Sequence, residues 1–264
     1  MNLAFIGLGI QGLPLAANLA AAGHSVAGFD PDPQALAQFV ERGGTAAASV
    51  AEAAQGAAVV FVCVATDKQI LDVVLGDGGI ASGAAPGTIV VSHCTVSADT
   101  AAALARGIAA AGLRFADVPV SGGAKGAAER TMSYMVGCDD DVFAVCEPLF
   151  RVSGQAILRT GPAGTATIGK LAHQVTIIGN ILAMAEGMRL GIAAGMAPEI
   201  VKTVITGGLA RSWIAETWGE VKMAPHALPI YRKDLENSLA LARAHGAELP
   251  GAEIALAHLE TIVP

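Results

Sequence analysis

Gly7-Leu8-Gly9-Ile10-Gln11-Gly12, entered from the apolar run Asn2-Leu3-Ala4-Phe5-Ile6 and followed by a helix-length stretch over 13–22, decides the fold. A GxGxxG between a strand and a helix is the turn of a βαβ unit that takes a dinucleotide. The first glycine permits the tight turn, the second lets backbone approach a pyrophosphate, and the third lets helix and strand pack closely. The helix N-terminus then offers N–H groups to phosphate, and the backbone of Leu8, Ile10 and Gln11 completes the loop. Asp30 follows 18 residues after Gly12, at the end of the next apolar run. A carboxylate there can accept hydrogen bonds from ribose hydroxyls and repels a 2′-phosphate, which favours NAD over NADP. The alternative is that Asp30 only starts the turn through Pro31-Asp32-Pro33.

Outward from this unit the same rhythm continues to about residue 160. Strand candidates at 2–6, 25–29, 58–63, 88–92 and 114–117 alternate with alanine-rich stretches of helical length, which predicts a parallel sheet covered by helices. After Gly161 the character changes. The span 165–194 has no proline and keeps apolar residues at helical spacing, so one long helix is expected. Further helical segments are divided at 195–198, at Gly207-Gly208 and at 225–229, without strand-like alternation. The second half reads as all-helical.

Two further clusters stand out. Asp117-Val118-Pro119-Val120-Ser121-Gly122-Gly123 follows the fifth strand candidate; Ser121, Gly122 and Gly123 can present a hydroxyl and backbone N–H groups to a carboxylate, or can form an ordinary turn. Lys170 lies in the long helix, and His173 and Gln174 share its face three and four residues on. An ammonium beside Leu171 and Ala172 is costly if buried, so Lys170 either serves chemistry or snorkels to solvent. Lys233-Asp234-Leu235 opens another helical stretch, where a solvated first turn is the plain alternative.

Bulk properties narrow the partners. The 264 residues carry a formal net charge of -7, with 53% hydrophobic and 15% charged residues. A compact domain or pair of domains fits, and the charge speaks against nucleic acid or an anionic membrane as partner. Cys63, Cys94, Cys138 and Cys146 lie far apart, with no CxxC pair and no histidines at zinc-finger spacing, so no metal site is expected. The apolar start ends in small residues like a secretory signal, yet no Lys or Arg precedes Arg42, and glycines and Pro14 interrupt it. No later run is read as long and unbroken enough to span a bilayer, and a cytoplasmic protein is expected.

Taken in succession, these motifs resemble the β-hydroxyacid dehydrogenase family over nearly the whole chain. Gly7 to Gly12 with Asn18-Leu19 and Gly23-His24 matches its glycine loop and first helix, and Asp117 to Gly123 matches its substrate-binding loop. Thr95 matches a threonine near the nicotinamide, Gly164 to Lys170 the catalytic segment, and Lys233-Asp234-Leu235 a cofactor-side motif. The resemblance implies an α/β N-terminal domain over 1–161 with a Rossmann-type doubly wound sheet. An all-α C-terminal domain over 162–264 would follow, starting with the long interdomain helix and commonly dimerising. It implies hydride transfer between NAD and a small 2- or 3-hydroxy acid or its semialdehyde, by a homodimer or homotetramer. Lys170 would be general acid or base and Ser121, Gly122, Gly123, His173 and Gln174 would meet the substrate. Gly7, Leu8, Gly9, Ile10, Gln11, Gly12, Asp30, Thr95 and Lys233 would serve the cofactor.

Some positions differ from the family pattern. Gln11 stands where methionine is usual, and His173 and Gln174 stand where asparagine is usual, which puts the substrate in question. The chain stops at Pro264, earlier than is usual for the family. Two other readings use the same scaffold: an imine reductase, which Lys170 opposes because those relatives carry another residue there, and a non-catalytic NAD-binding protein.

Overall fold

The structure, a computed structural model, describes residues 1–219 and 227–263. The chain divides into two units, Met1–Lys170 and Leu171–Pro264. The first runs β1 (Asn2–Ile6), α1 (Gly12–Ala21), β2 (Ser25–Phe29), α2 (Pro33–Glu41), β3 (Thr45–Ala46), α3 (Val50–Ala54), β4 (Val59–Val62), α4 (Asp67–Leu75), α5 (Ile80–Gly83), β5 (Ile89–Ser92) and α6 (Ala98–Ala110). It continues with β6 (Arg114–Asp117), β7 (Val120–Ser121), α7 (Gly123–Glu129), β8 (Met132–Gly137), α8 (Asp140–Phe150), β9 (Gly154–Gly161) and the start of α9 (Thr165–Ala193).

The sheet order is β3-β2-β1-β4-β5-β6-β8-β7, with β9 on β8. The strands from β3 to β6 pair in parallel, and the order reverses between β1 and β4. Helices cover both faces, so the central strands β1, β4 and β5 are near-continuous apolar runs, with polar residues only at an end, Asn2 of β1 and Ser92 of β5. Phe5, Phe61 and Val91 face one core with Leu19 of α1, Phe39 of α2 and Phe150 of α8. Ile6, Val60, Val62 and Val90 face the other with Ile70 of α4 and Ile108 of α6. Each such fully buried side chain contributes about 1.5–3 kcal/mol. The expected Rossmann-type doubly wound sheet is present.

Four strands lie outside the expected five. β3 and β7 are two residues each, too short to leave a pattern. The edge strand β9 has no buried position, and β8 is antiparallel to β6 and β7, so pairing with the sheet's free edge makes them strands.

One polar residue is sealed inside the first core. His93, just past β5, is 5% exposed and stacks on Phe61 with ring centroids 5.5 Å apart. Its Nδ1–H donates to the Val118 carbonyl at 2.9 Å, which fixes the neutral tautomer. Burial pushes its pKa down to about 4 from 6.5. Between those two values the unfolded chain takes up a proton that the folded chain refuses, so stability falls as pH drops from about 6.5 to about 4. The shift corresponds to about 3 kcal/mol. His93→Phe should lose this part of the acid sensitivity, while the orphaned Val118 carbonyl costs about 1–3 kcal/mol at neutral pH. Urea midpoints from pH 4 to 7 check it; equal pH slopes for both proteins would refute it.

The second unit adds α10 (Pro198–Thr206), α11 (Trp213–Glu216), α12 (Ala227–Ala244), α13 (Pro250–Ala257) and α14 (Leu259–Ile262). Ile178, Ile181 and Ala185 of α9 pack with Leu235 and Leu239 of α12, Ala255 of α13 and Leu259 of α14. Contrary to the expectation from sequence, α9 is long and apolar enough to cross a membrane by length and composition. Its apolar residues instead supply this helical core. The expected break at 225–229 ends sooner, because Pro229 lies in the first turn of α12, where a missing N–H costs nothing. Pro225 and His226 of that break lie outside the described residues. Lys233 consequently sits in the second turn of α12, not at its start.

Candidate active site

The glycine loop turns at the carboxyl end of β1, beside β4, where the strand order reverses; ligands of open α/β sheets bind at such points. Gly7 has φ +92°, and a Cβ on it would lie 2.3 Å from the Cys63 carbonyl oxygen at the end of β4. A Cβ on Gly12 would lie 1.9 Å from the Gly7 carbonyl oxygen, so only glycine lets α1 start this close to the turn. Gly9 differs: a Cβ there meets nothing within 4 Å, and Gly9 and Ile10 are exposed. The loop therefore leaves open space at the position where a pyrophosphate needs backbone access. Gln11, half-buried, is the N-cap of α1 and gives it no side-chain cap, which suits a helix end that meets phosphate.

Asp30 does two things. Its Oδ2 accepts the Leu8 N–H at 2.7 Å and its Oδ1 accepts the Asp32 N–H at 2.9 Å. The turn through Pro31 is thus real, and the same carboxylate also ties β2 to the glycine loop. Each oxygen keeps a lone pair for a ribose hydroxyl. The residues present fit a dinucleotide.

Thr95 is half-buried in the segment after β5, held next to β4 by Val64 N–H donating to Cys94 Sγ at 3.2 Å. Ser121 ends β7, paired with Ser133 of β8. Gly122 and Gly123, both exposed, have φ +136° and +61° and turn the chain into α7. The first unit thus brings the glycine loop, Asp30, Thr95 and Ser121 to Gly123 to the loops that follow its strands.

Lys170 is 6% exposed, so it does not snorkel. Half-buried His173 and buried Gln174 follow one turn later on α9. Within the second unit, the Gln174 amide donates from Nε2 to Asp234 Oδ2 at 2.6 Å. Lys233 Nζ lies 3.0 Å from Asp234 Oδ1, an ion pair without hydrogen-bond alignment. Asp234, 1% exposed, therefore joins Gln174 to Lys233 and orients the amide, so that Oε1 remains as acceptor. In the sequence Asp234 stands out only as part of Lys233-Asp234-Leu235. With Glu236 two residues on, nothing local singles Asp234 out, and the partner that explains it is 60 residues away.

The doubly wound sheet and the glycine loop at its switch point define a dinucleotide-binding protein. A family model described as the NAD-binding domain of 6-phosphogluconate dehydrogenase matches residues 2–161. A second, described as the NAD-binding of NADP-dependent 3-hydroxyisobutyrate dehydrogenase, matches residues 164–263. The chain is 33% identical to 2-hydroxy-3-oxopropionate reductase of Escherichia coli, covering 95% of this chain and 87% of that protein. It is 32% identical to 3-hydroxyisobutyrate dehydrogenase of Pseudomonas aeruginosa, covering 94% and 88%. The solved structure of a 3-hydroxyisobutyrate dehydrogenase from Salmonella typhimurium superposes with TM-score 0.86 at 29% identity, covering 98% and 93%. The chain belongs to the β-hydroxyacid dehydrogenase family.

Proposed function

We propose that the protein moves a hydride between NAD(H) and the carbinol carbon of a small 2- or 3-hydroxy acid or its semialdehyde, with Lys170 as general acid and base. The observation that carries this is the burial of Lys170 in the segment that follows Asp117's helix cap, since an ammonium is seldom kept from solvent unless it is paired or put to chemical use. When bound, the nicotinamide supplies the hydride acceptor or donor. In oxidation the substrate carbon gives up its hydride while Lys170 Nζ takes the hydroxyl proton; in reduction Lys170 returns that proton to the carbonyl oxygen. Ser121, Gly122 and Gly123 seat the substrate carboxylate, with His173 and Gln174 against the rest of the molecule. Residues 7–12, Asp30, Thr95 and Lys233 serve the cofactor. Residues 1–161 form the cofactor domain and 162–264 the catalytic and dimerisation domain of a homodimer or homotetramer. Free thiols at Cys63, Cys94, Cys138 and Cys146 suit a reducing compartment.

The test is turnover of short 2- and 3-hydroxy acids with NAD and with NADP, and of the matching semialdehydes with the reduced cofactors. Asp30 should make kcat/KM about tenfold or more higher with NAD, because a 2′-phosphate would face a carboxylate already committed to the loop. Equal efficiency with NADP would leave Asp30 as a turn residue. Failure to turn over any hydroxy acid or semialdehyde would sink the assignment.

A further inference from the structure

Asp117 closes β6, is 1% exposed, and ends its strand opposite Ser92 and Gly137. Its side chain reaches the start of α9, some 50 residues later. Oδ2 accepts the Gly164 N–H at 3.1 Å and the Thr167 N–H at 2.7 Å, and Oδ1 accepts the Thr167 hydroxyl at 2.8 Å. Gly164, which precedes α9, has no side chain to satisfy the first N–H groups of the helix. A distant carboxylate does so instead, at the helix end where its charge is favoured. Burial pushes the Asp117 pKa up, and the Thr167 and Gly164 bonds pull it back down.

The main chain leaving Asp117 is Val118-Pro119-Val120-Ser121-Gly122-Gly123, and the helix its side chain holds carries Lys170 one turn beyond Thr167. We propose that Asp117 is a positioning residue that sets the register of Lys170 against the Ser121 to Gly123 loop. This rests on the function proposed above. One residue is bonded through its backbone to one motif and through its carboxylate to the other, so a shift of the helix relative to the loop has to break two or three charge-assisted bonds. Such charge-assisted bonds are shorter and stronger than those between neutral groups.

Asp117→Asn tests this, because it keeps the size but removes the charge that strengthens all three bonds and leaves an NH2 in place of the oxygen that accepts the Thr167 hydroxyl. Hydrogen exchange of the 163–170 peptide in the cofactor-free protein should speed up about tenfold or more, with the β1, β4 and β5 peptides unchanged. On the best substrate of the hydroxy-acid panel, kcat should fall about 10- to 100-fold with NAD affinity within about twofold of the parent. In a Lys170→Ala background the same substitution should lower kcat no further, because a lysine already absent cannot be misplaced. Unchanged exchange over 163–170, or an equal loss of kcat in both backgrounds, overturns the proposal. If Asp117→Asn does not fold, Thr167→Val removes the hydroxyl bond alone. It should lower kcat about threefold with Lys170 present and not at all in Lys170→Ala; no change in either background overturns the proposal. Failure of the function itself looks different: Lys170→Ala would then keep its turnover whatever residue 117 is.

Discussion

Lys170→Ala should fold, bind NAD as the parent does, and turn over its best hydroxy acid about two to four orders of magnitude more slowly. Folding should survive because alanine is a better helix former than lysine and α9 is held independently, by Asp117 at its start and by Ile178, Ile181 and Ala185 in the helical core. Removing a buried ammonium relieves its desolvation but also gives up the packing of its four-carbon stem, so thermal melts run beside the assays establish that the variant is folded. NAD affinity should hold because the residues assigned to the cofactor, the glycine loop and Asp30 foremost, do not include Lys170. The loss should fall on kcat at least as much as on KM, since a proton is transferred only as the carbon–oxygen bond changes order. Single-turnover rates and NAD titration separate these effects. Near-native kcat in a folded Lys170→Ala protein would falsify the acid–base role and leave the scaffold without an assigned proton carrier.

Two alanine substitutions in the glycine loop should fail in different ways. In Gly12→Ala the new methyl would stand 1.9 Å from a backbone oxygen and 3.2 Å from Phe5 Cε1. Neither the Gly7 carbonyl nor the core around Phe5 can retreat, so α1 has to move off the turn. Both melting temperature and NAD affinity should drop, affinity by about 100-fold or more, as the displaced helix start no longer aims its N–H groups at a charged phosphate. Gly9→Ala adds its methyl to open space, at a residue outside the positive-φ set. The free protein should keep its melting temperature, while NAD affinity falls about 10- to 100-fold because the methyl stands where the pyrophosphate approaches. Calorimetric titration with NAD, paired with thermal melts, distinguishes the two. Native NAD affinity in Gly9→Ala would show that the open side of the loop is not the phosphate seat.

The parts of the fold that were readable from sequence share one trait: their cause is local. β1, β2 and β6 were located to the residue, and α9 nearly so, because a strand, a glycine turn and a long proline-free helix are set by residues adjacent in the chain. The strands β8 and β9 were not, because their state depends on pairing across the sheet. Lys170 could be singled out as an odd cation in an apolar segment, but whether it was buried or snorkelled is a question of what surrounds the helix.

By itself the sequence determined the glycine loop, the acid at Asp30, the Ser121 to Gly123 turn, the helical second half and the family, since each is carried by residue identity at short spacing. Only the tertiary structure decided that Asp30 both starts a turn and binds Leu8, and that Gln174 is oriented by Asp234. It alone revealed that Asp117 caps a helix about 50 residues away and that His93 is a sealed core residue. These are hydrogen bonds between chain-distant partners whose strength depends on exclusion of water, and neither distance nor desolvation is written in the order of residues.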